Sequence, residues 1–397
     1  MRLLFVSIVV VISIVSCSKD PTSTGLKQIS NADIITTVIF DSDPKNINQR
    51  TSNYNFVLVT GLSSQIIIGK NNYAESDALI RFSMVVTDTL LNHLQLNNLI
   101  IQSAWVTMDS SYTLGSSTGN FDFSAYSITD YHSGNYWSLG FDRDSLSLLT
   151  YDNTNQNVNT SAAVVDSAVM QFNINPNLVM SWLKADNKIN NTTNKNLGII
   201  LKPKSSTNKF FGFDATTTPP TIHVACLLPS GVLDTAIVSS NNCVHVVTPA
   251  ANVTTKSDEL YLEGGVSLRG TLYFDLSSLP KLSIFNKATL TLTIDTLNTF
   301  DGTPSSADIK AQILADTAAK KLADSTSATS MVRSGNQYSG DITWMLQKWN
   351  DGKVANQGML ISLSDELTSV ARIAIYNSTA QNKDLRPRLK LYFIQKK

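Results

Sequence analysis

The chain has 397 residues, with 31 Lys plus Arg against 31 Asp plus Glu, and so no net formal charge at neutral pH. That balance gives no electrostatic footprint for nucleic acid, and a charged fraction of 16% is low for a cytosolic enzyme. Ser, Thr, Asn and β-branched residues dominate, the composition of a secreted β-rich protein whose polar surface is built from hydroxyls and amides, and the length suffices for two or more domains.

The leader comes first. Arg2 is a positive n-region, and Leu3 to Val15 is an apolar run broken only by Ser7 and Ser13. It is too short for a comfortable membrane span and reads as a signal peptide. Ile14-Val15-Ser16-Cys17 resembles the lipoprotein box of bacterial envelope proteins. The resemblance implies a signal peptide over 1–16, cleavage before Cys17, and acylation of Cys17, which would anchor the chain to a membrane. The expected location is the bacterial envelope, as an outer membrane lipoprotein with cell-surface exposure left open. Ser18-Lys19-Asp20 loosely resembles the surface-export tag of Bacteroidota lipoproteins, and residues 17–30 read as a lipidated Cys and solvated tether.

From Asn31 onward, short apolar runs alternate with polar turns. Strands are expected at Ile35–Phe40, Phe56–Thr60, Gln65–Gly69, Ala78–Met84, Leu99–Met108, Phe121–Thr129 and within Val164–Ile174. In Leu99–Met108 the residues Ile101, Ser103, Trp105 and Thr107 face away from Ile100, Gln102, Ala104, Val106 and Met108. Next comes Asn175-Pro176, a candidate N-cap followed by proline at the first helical position. Leu178, Val179, Trp182 and Leu183 make a helical stripe there. Strands follow at Asn196-x-Gly198 onward, at Lys209–Asp214, and at Thr221–Ala225 after Pro219-Pro220.

The order then repeats: Cys243–Val247, Gly270–Leu279, Ala288–Ile294 and Asp308–Leu314. Asp341 is a candidate cap for the stripe Ile342, Met345, Leu346, Trp349. Asn356-x-Gly358 opens a further strand, followed by Ala371–Tyr376 and Arg388–Phe393 after Pro387. Ala315–Ala328 reads equally as helix or loop. Both helices are too short to stand alone, so each Trp is expected to plug a helical turn against a sheet. The fold class is all-β: two tandem jelly-roll-like antiparallel β-sandwiches, over 31–226 and 233–397, each with a short helical turn.

After Cys17 only Cys226 and Cys243 remain. In an oxidising envelope they could pair; the alternative is two buried free thiols. His93, His132, His223 and His245 have no metal-ligand spacing, no phosphate-cradle or nucleophile-elbow motif is present, and no cofactor is expected, with structural calcium left open. The ligand candidate is the loop Tyr131–Phe141. Its Tyr131, Tyr136 and Trp137 could stack on sugar rings or could fold under the loop and pack it. Arg81 and Arg269 could meet an acidic sugar or be ordinary surface charges.

The second copy carries a family resemblance in RGTLYFDLSSLP (Arg269 to Pro280), ATLTLTI, DITWMLQKW, ANQGMLISL, AIYNSTA and RPRLKLYF, in that order. Together these resemble the DNRLRE domain of secreted bacterial proteins. The first copy departs more: ALIRFSM lacks the Asp, and PPTIHVA stands for RPRLKLYF. It does keep Tyr126-Ser127-Ile128-Thr129 before Trp137, similar to a family segment that the second copy lacks. The resemblance implies a β-sandwich similar to carbohydrate-binding modules, and binding of polysaccharide, acidic polysaccharide included, without catalysis. The expected function is therefore non-catalytic polysaccharide binding through tandem modules. The alternative is a structural or adhesive module that binds another envelope protein. A polysaccharide lyase or hydrolase comes third.

Overall fold

A computed structural model describes residues 36–395, apart from 44–46, 57, 59, 132–142, 154–157, 160–168, 190–194, 252, 254, 282 and 304–306. The leader, Cys17, the tether, Tyr136 and Trp137 lie outside the described residues.

Strands β1 (Thr36–Asp41), β2 (Gln49–Asn55), β3 (Gln65–Lys70) and β4 (Ala74–Phe82) lead to helix α1 (Asp88–Gln95). Then come β5 (Ile100–Leu114), β6 (Phe123–Tyr131), β7 (Leu149–Tyr151), β8 (Val158–Asn159), β9 (Val169–Ile174) and helix α2 (Pro176–Asp186). β10 (Ile199–Pro203), β11 (Phe210–Asp214), β12 (Thr221–Leu227) and the long β13 (Leu233–Pro249) follow. The rest is β14 (Glu259–Glu263), β15 (Leu268–Phe274), β16 (Ile284–Thr293), β17 (Ile309–Asp316), β18 (Lys321–Leu322), β19 (Thr329–Ser334) and β20 (Gln337–Asp341). Helix α3 (Thr343–Asn350), β21 (Met359–Leu363), β22 (Arg372–Tyr376) and β23 (Arg388–Gln395) close the chain. The protein is all-β, with antiparallel strands in one 12-stranded and one 11-stranded sheet.

The internal repeat holds at the level of single atoms. Ile199, Ile200 and Leu201 of β10 pair with Ile80, Leu79 and Ala78 of β4. Met359, Leu360 and Ile361 of β21 pair in the same way with Leu272, Thr271 and Gly270 of β15. The Asn-x-Gly signals set both registers. The Asn196 amide donates to the Phe82 carbonyl at 2.7 Å, and the Asn356 amide donates to the Phe274 carbonyl at 2.9 Å. Each Asn side-chain oxygen then accepts the glycine N–H, at 3.3 Å from Gly198 and 3.1 Å from Gly358. The glycines sit at φ +83° and +84°, and a Cβ would press on the carbonyl oxygens of Ile80 and Leu272, so only glycine fits without strain.

Both helical turns form, the first as expected and the second one residue later than expected, with Ile342 rather than Asp341 at its N-cap. The Asn175 side chain accepts the Asn177 N–H at 2.9 Å, with Pro176 at the first position. Asp341 Oδ1 accepts the Thr343 N–H at 2.9 Å. Trp182 is 2% exposed in the first core. Trp349 packs on the second core but is only half-buried.

The strand content of the two sheets does not follow chain order. β13 pairs with β12 through Leu233–Ser239 and, past an irregularity at Ser240–Asn242, with β4 through Asn242–Pro249. The bulge turns one strand from one side of the fold to the other. It closes a ring of β13, β12, β5, β11, β3 and β4. Cys243–Val247, expected to open the second half, therefore completes the first. In the second half the matching places are taken by the N-terminal strands: β1 pairs with β23 and β2 with β15. The segment between β1 and β2 replaces the bulge, and β16 meets β22 only at the bridge Ile294–Ile375, so this ring stays open. Each half is thus completed by strands from the other side of the chain. Of the expected strand Phe56–Thr60, the described residues Phe56, Leu58 and Thr60 lie outside any strand; the polar Gln49–Asn55 is one. Ala315–Ala328 forms the end of β17, turns, and β18 rather than a helix.

The second half's apolar core takes in residues of the first half. Phe40, Ile67, Tyr73, Tyr112 and Phe210 cluster with Leu272, Phe274, Leu290 and Phe393. The Tyr73 ring lies tilted against Phe300 at 5.2 Å and its hydroxyl donates to the Val370 carbonyl at 3.2 Å, and the Ser63 hydroxyl donates to the Leu367 carbonyl at 2.8 Å.

The disulfide is not formed; Cys226 and Cys243 are free. Cys226 lies opposite Asp234 in the β12–β13 hairpin, and Cys243 is nine residues further along β13. At about 3.3 Å per residue this is roughly 30 Å of strand, far beyond disulfide reach. Burial pushes the two thiols up, to about 11 and about 12.

Candidate functional site

Four strands in each half present one outer face, and period-2 alternation decides what it carries. In the second half Ala288, Leu290 and Leu292 of β16 point into the core, as do Leu389, Leu391 and Phe393 of β23. Lys287, Thr289, Thr291, Thr293, Arg388, Lys390 and Tyr392 therefore point out. Across the β16–β23 ladder Lys287 lies opposite Tyr392, Thr289 opposite Lys390, and Thr291 opposite Arg388. With Gln337, Asp384 and Arg386 they line an open groove of about 320 Å³.

The cations differ in their freedom. Arg388 is held by Asp41 of β1 in a two-pronged ion pair at 3.0 and 2.6 Å, and this bond holds the Asp41 carboxyl below its usual range. Arg386 donates from Nε to the Ala380 carbonyl at 2.7 Å. Lys390 Nζ stands 5.5 Å from the Tyr392 ring centre. Among the described residues neither Lys287 nor Lys390 has a carboxylate within ion-pair distance. The groove thus offers two available ammonium groups beside the half-exposed threonines Thr289 and Thr291, with Thr293 buried at its end.

The same face of the first half carries aromatic and hydroxyl groups. Trp105 of β5 lies opposite His223 of β12, and Thr107 opposite Thr221. The Trp105 and His223 rings stack at 5.1 Å and 2°. Thr107 and Thr221 share a hydroxyl hydrogen bond of 2.6 Å and both approach His223 Nε2. Trp105 and His223 are half-exposed. Strand alternation had placed Trp105 and Thr107 on one face; the missing signal was their pairing with His223 and Thr221, more than a hundred residues away.

The expected ligand residues fall elsewhere. Tyr131 is 4% exposed and donates to the Leu197 carbonyl at 2.9 Å, so its ring belongs to a small core with Leu79, Ile128 and Leu197. Arg81 is half-buried on β4, with a covered Nε that meets no acceptor. Arg269 grips Glu366 at 2.8 and 2.7 Å and lies 4.0 Å over the Phe56 ring; it is an internal strut.

A second set of ionisable groups, around Lys256 and Arg372, is paired within itself. Lys256 Nζ bonds Glu259 at 2.9 Å and Asp295 at 2.7 Å, and Asn298 reaches both carboxylates. Tyr261 donates to Glu259. Burial raises the Glu259 carboxyl, while hydrogen bonds bring that of Asp295 down despite its own desolvation. Arg372 pairs with Glu263 at 3.0 Å, and its guanidinium lies 4.2 Å over the Tyr261 ring. These groups tie β14, β22 and the Asp295 turn together, and the groove on β16 and β23 is lined by other residues. No group of three or more His, Cys, Asp or Glu among the described residues is placed to hold a metal.

No family model matches the chain, and no curated protein matches it. The resemblance to DNRLRE domains therefore rests on the motifs quoted above. Solved structures similar to the chain include the C-terminal domain of the Streptococcus agalactiae AgI/II polypeptide BspA, at 10% identity, with 84% of this chain and 90% of that one covered and a TM-score of 0.18. The Macrobrachium rosenbergii nodavirus structure matches at 11% identity, with 95% and 94% covered and a TM-score of 0.13. Likenesses this slight carry no argument here.

Proposed function

We propose that this is a non-catalytic polysaccharide-binding protein of the bacterial envelope, tethered through a lipid on Cys17, in which two jelly-roll-like modules hold one glycan chain. The observation behind this reading is the repeated outer face: Trp105 stacked on His223 beside two threonines in one half, and Lys287 and Lys390 beside Thr289 and Thr291 in the other. An aromatic ring covers the apolar face of a sugar, hydroxyls bond its oxygens, and unpaired ammonium groups favour an acidic chain. Rigid strands fix these groups at low entropic cost, and two faces on one body raise avidity when a single chain spans both. An acidic polysaccharide is the ligand class that suits the second face.

The test is migration in native gels cast with neutral and acidic polysaccharides, comparing the protein with Trp105→Ala and with Lys287→Glu/Lys390→Glu. Retardation by one polysaccharide that weakens in either variant supports the reading. Equal migration in every gel transfers the proposal to a structural or adhesive module.

A further inference from the structure

The two halves serve as controls for each other, and they differ most where β4 and β15 run out. After Phe82 the first half inserts α1 before β5; after Phe274 the second half has only residues 275–283 before β16. In the first half, Leu90 and Leu94 of α1, one turn apart, are buried in the same cluster as Trp182 and Leu183. Met84, which leads into α1, is clamped to the end of α2: its N–H bonds Asp186 at 2.8 Å, and its carbonyl accepts from Asn187 at 2.7 Å. Among the described residues the second half has no such cap. In its place an open cleft of about 620 Å³ lies between residues 273–281 and the end of α3. Its apolar walls are Tyr273, Leu276, Leu279, Phe285, Leu346 and Trp349.

We infer that this cleft is the docking site of a partner protein's amphipathic helix, which supplies in trans the two leucine-class side chains that α1 supplies in cis. Three features specify that occupant. The first is the internal template, in which the equivalent end is closed by a helix with apolar residues four apart. The second is the chemistry of the walls. Most polar groups beside the cleft are already used: the Asn350 amide donates to the Ser283 carbonyl at 3.0 Å, the Asn356 amide to the Phe274 carbonyl at 2.9 Å, and Asp275 accepts the Ser277 N–H at 3.0 Å, while the Trp349 indole N–H has no acceptor but is covered. What remains open is hydrocarbon and aromatic ring, which suits leucine better than a sugar rich in hydroxyls. The third is the charge at the mouth, where exposed Asp351 and the Asp275 carboxylate stand with Lys281; both signs are present, complementary to the two ends of a helix dipole. Helix-in-groove recognition of this kind is read by i and i+4 anchors.

The probe is a fluorescein-labelled peptide with the sequence of residues 84–99, titrated into the purified protein and read by anisotropy. Saturable binding is expected, weaker by at least about tenfold for the peptide carrying Leu90→Asp and Leu94→Asp. Ser277→Trp, at an exposed position on the cleft, and Leu279→Asp should weaken it by a similar factor, with circular dichroism reporting that each variant is folded. The inference is overturned if the two peptides bind alike, if both folded variants bind as the parent does, or if an oligosaccharide at millimolar concentration displaces the peptide and so claims the cleft for sugar. None of these outcomes bears on the outer faces, which lie on other residues.

Discussion

His245 gives the chain a defined acid sensitivity. Its side chain is fully buried on β13, the strand that closes the first ring; neither ring nitrogen makes a hydrogen bond of ordinary geometry, and the Gln65 backbone gives only a weak contact that opposes the desolvation in part. Desolvation pushes its pKa down from 6.5 to about 4. The unfolded chain therefore binds the proton more readily than the folded one. Stability is full above pH 6.5, falls as the pH drops through that value, and has lost this contribution by about pH 4. At about 1.4 kcal/mol per pKa unit the whole effect is roughly 3 kcal/mol, of which about 2.5 kcal/mol is lost by pH 4.5. Replacing His245 by Leu removes the titration and, of the ring's polar contacts, only the weak one to the Gln65 backbone. Urea unfolding of parent and His245→Leu at pH 7.5 and 4.5 separates this residue from the carboxylates, which both proteins share. The parent should lose about 2.5 kcal/mol more than the variant. Equal losses would refute the reasoning and mean that the imidazole is solvated or bonded in the folded state.

Other consequences follow from the strand exchange, the repeat and the buried ion pair. Phe40 is an N-terminal residue in the second half's core, so Phe40→Ala should cost about 3–5 kcal/mol, measured by urea unfolding; a change within about 0.5 kcal/mol would deny the β1–β23 pairing. Gly198→Ala and Gly358→Ala should each destabilise by about 1–3 kcal/mol, from the left-handed backbone and the facing carbonyl, read as a fall in melting temperature. Arg372→Met leaves Glu263 buried and unpaired, which should cost about 3–5 kcal/mol at pH 7. The loss should shrink in acid, because burial already raises the Glu263 carboxyl and protonation removes the stranded charge.

Local grammar carried most of what was legible in the sequence. The Asn175 cap, Pro176, the two Asn-x-Gly turns and the alternation of Ala288–Ile294 and Arg388–Phe393 each depend on neighbours within a few residues, and each appears as expected. Long-range pairing did not show. β2, with the sequence QRTSNYN, lacks an apolar face because amide and hydroxyl contacts hold it: Asn53 donates to the Tyr261 carbonyl at 2.6 Å, and Ser52 meets Thr271 at 2.7 Å. The helix at Asp88–Gln95 had a readable i, i+4 signal in Leu90 and Leu94 that the surrounding strands obscured. Tyr131 looked like a loop aromatic but ends a strand, where its ring fills a secondary core. The candidate faces needed both partners of each ladder, and only the structure brings Trp105 to His223 and Lys390 to Thr289.

The measurement closest to the central claim is isothermal titration of the protein with polygalacturonate and with a neutral glucan, each at low and high salt. Polyanion binding that weakens steeply with salt, and is lost in Lys287→Glu/Lys390→Glu while the melting temperature holds, is the predicted result. Heats indistinguishable from dilution for both polymers, or binding that the double variant leaves unchanged, would contradict the account.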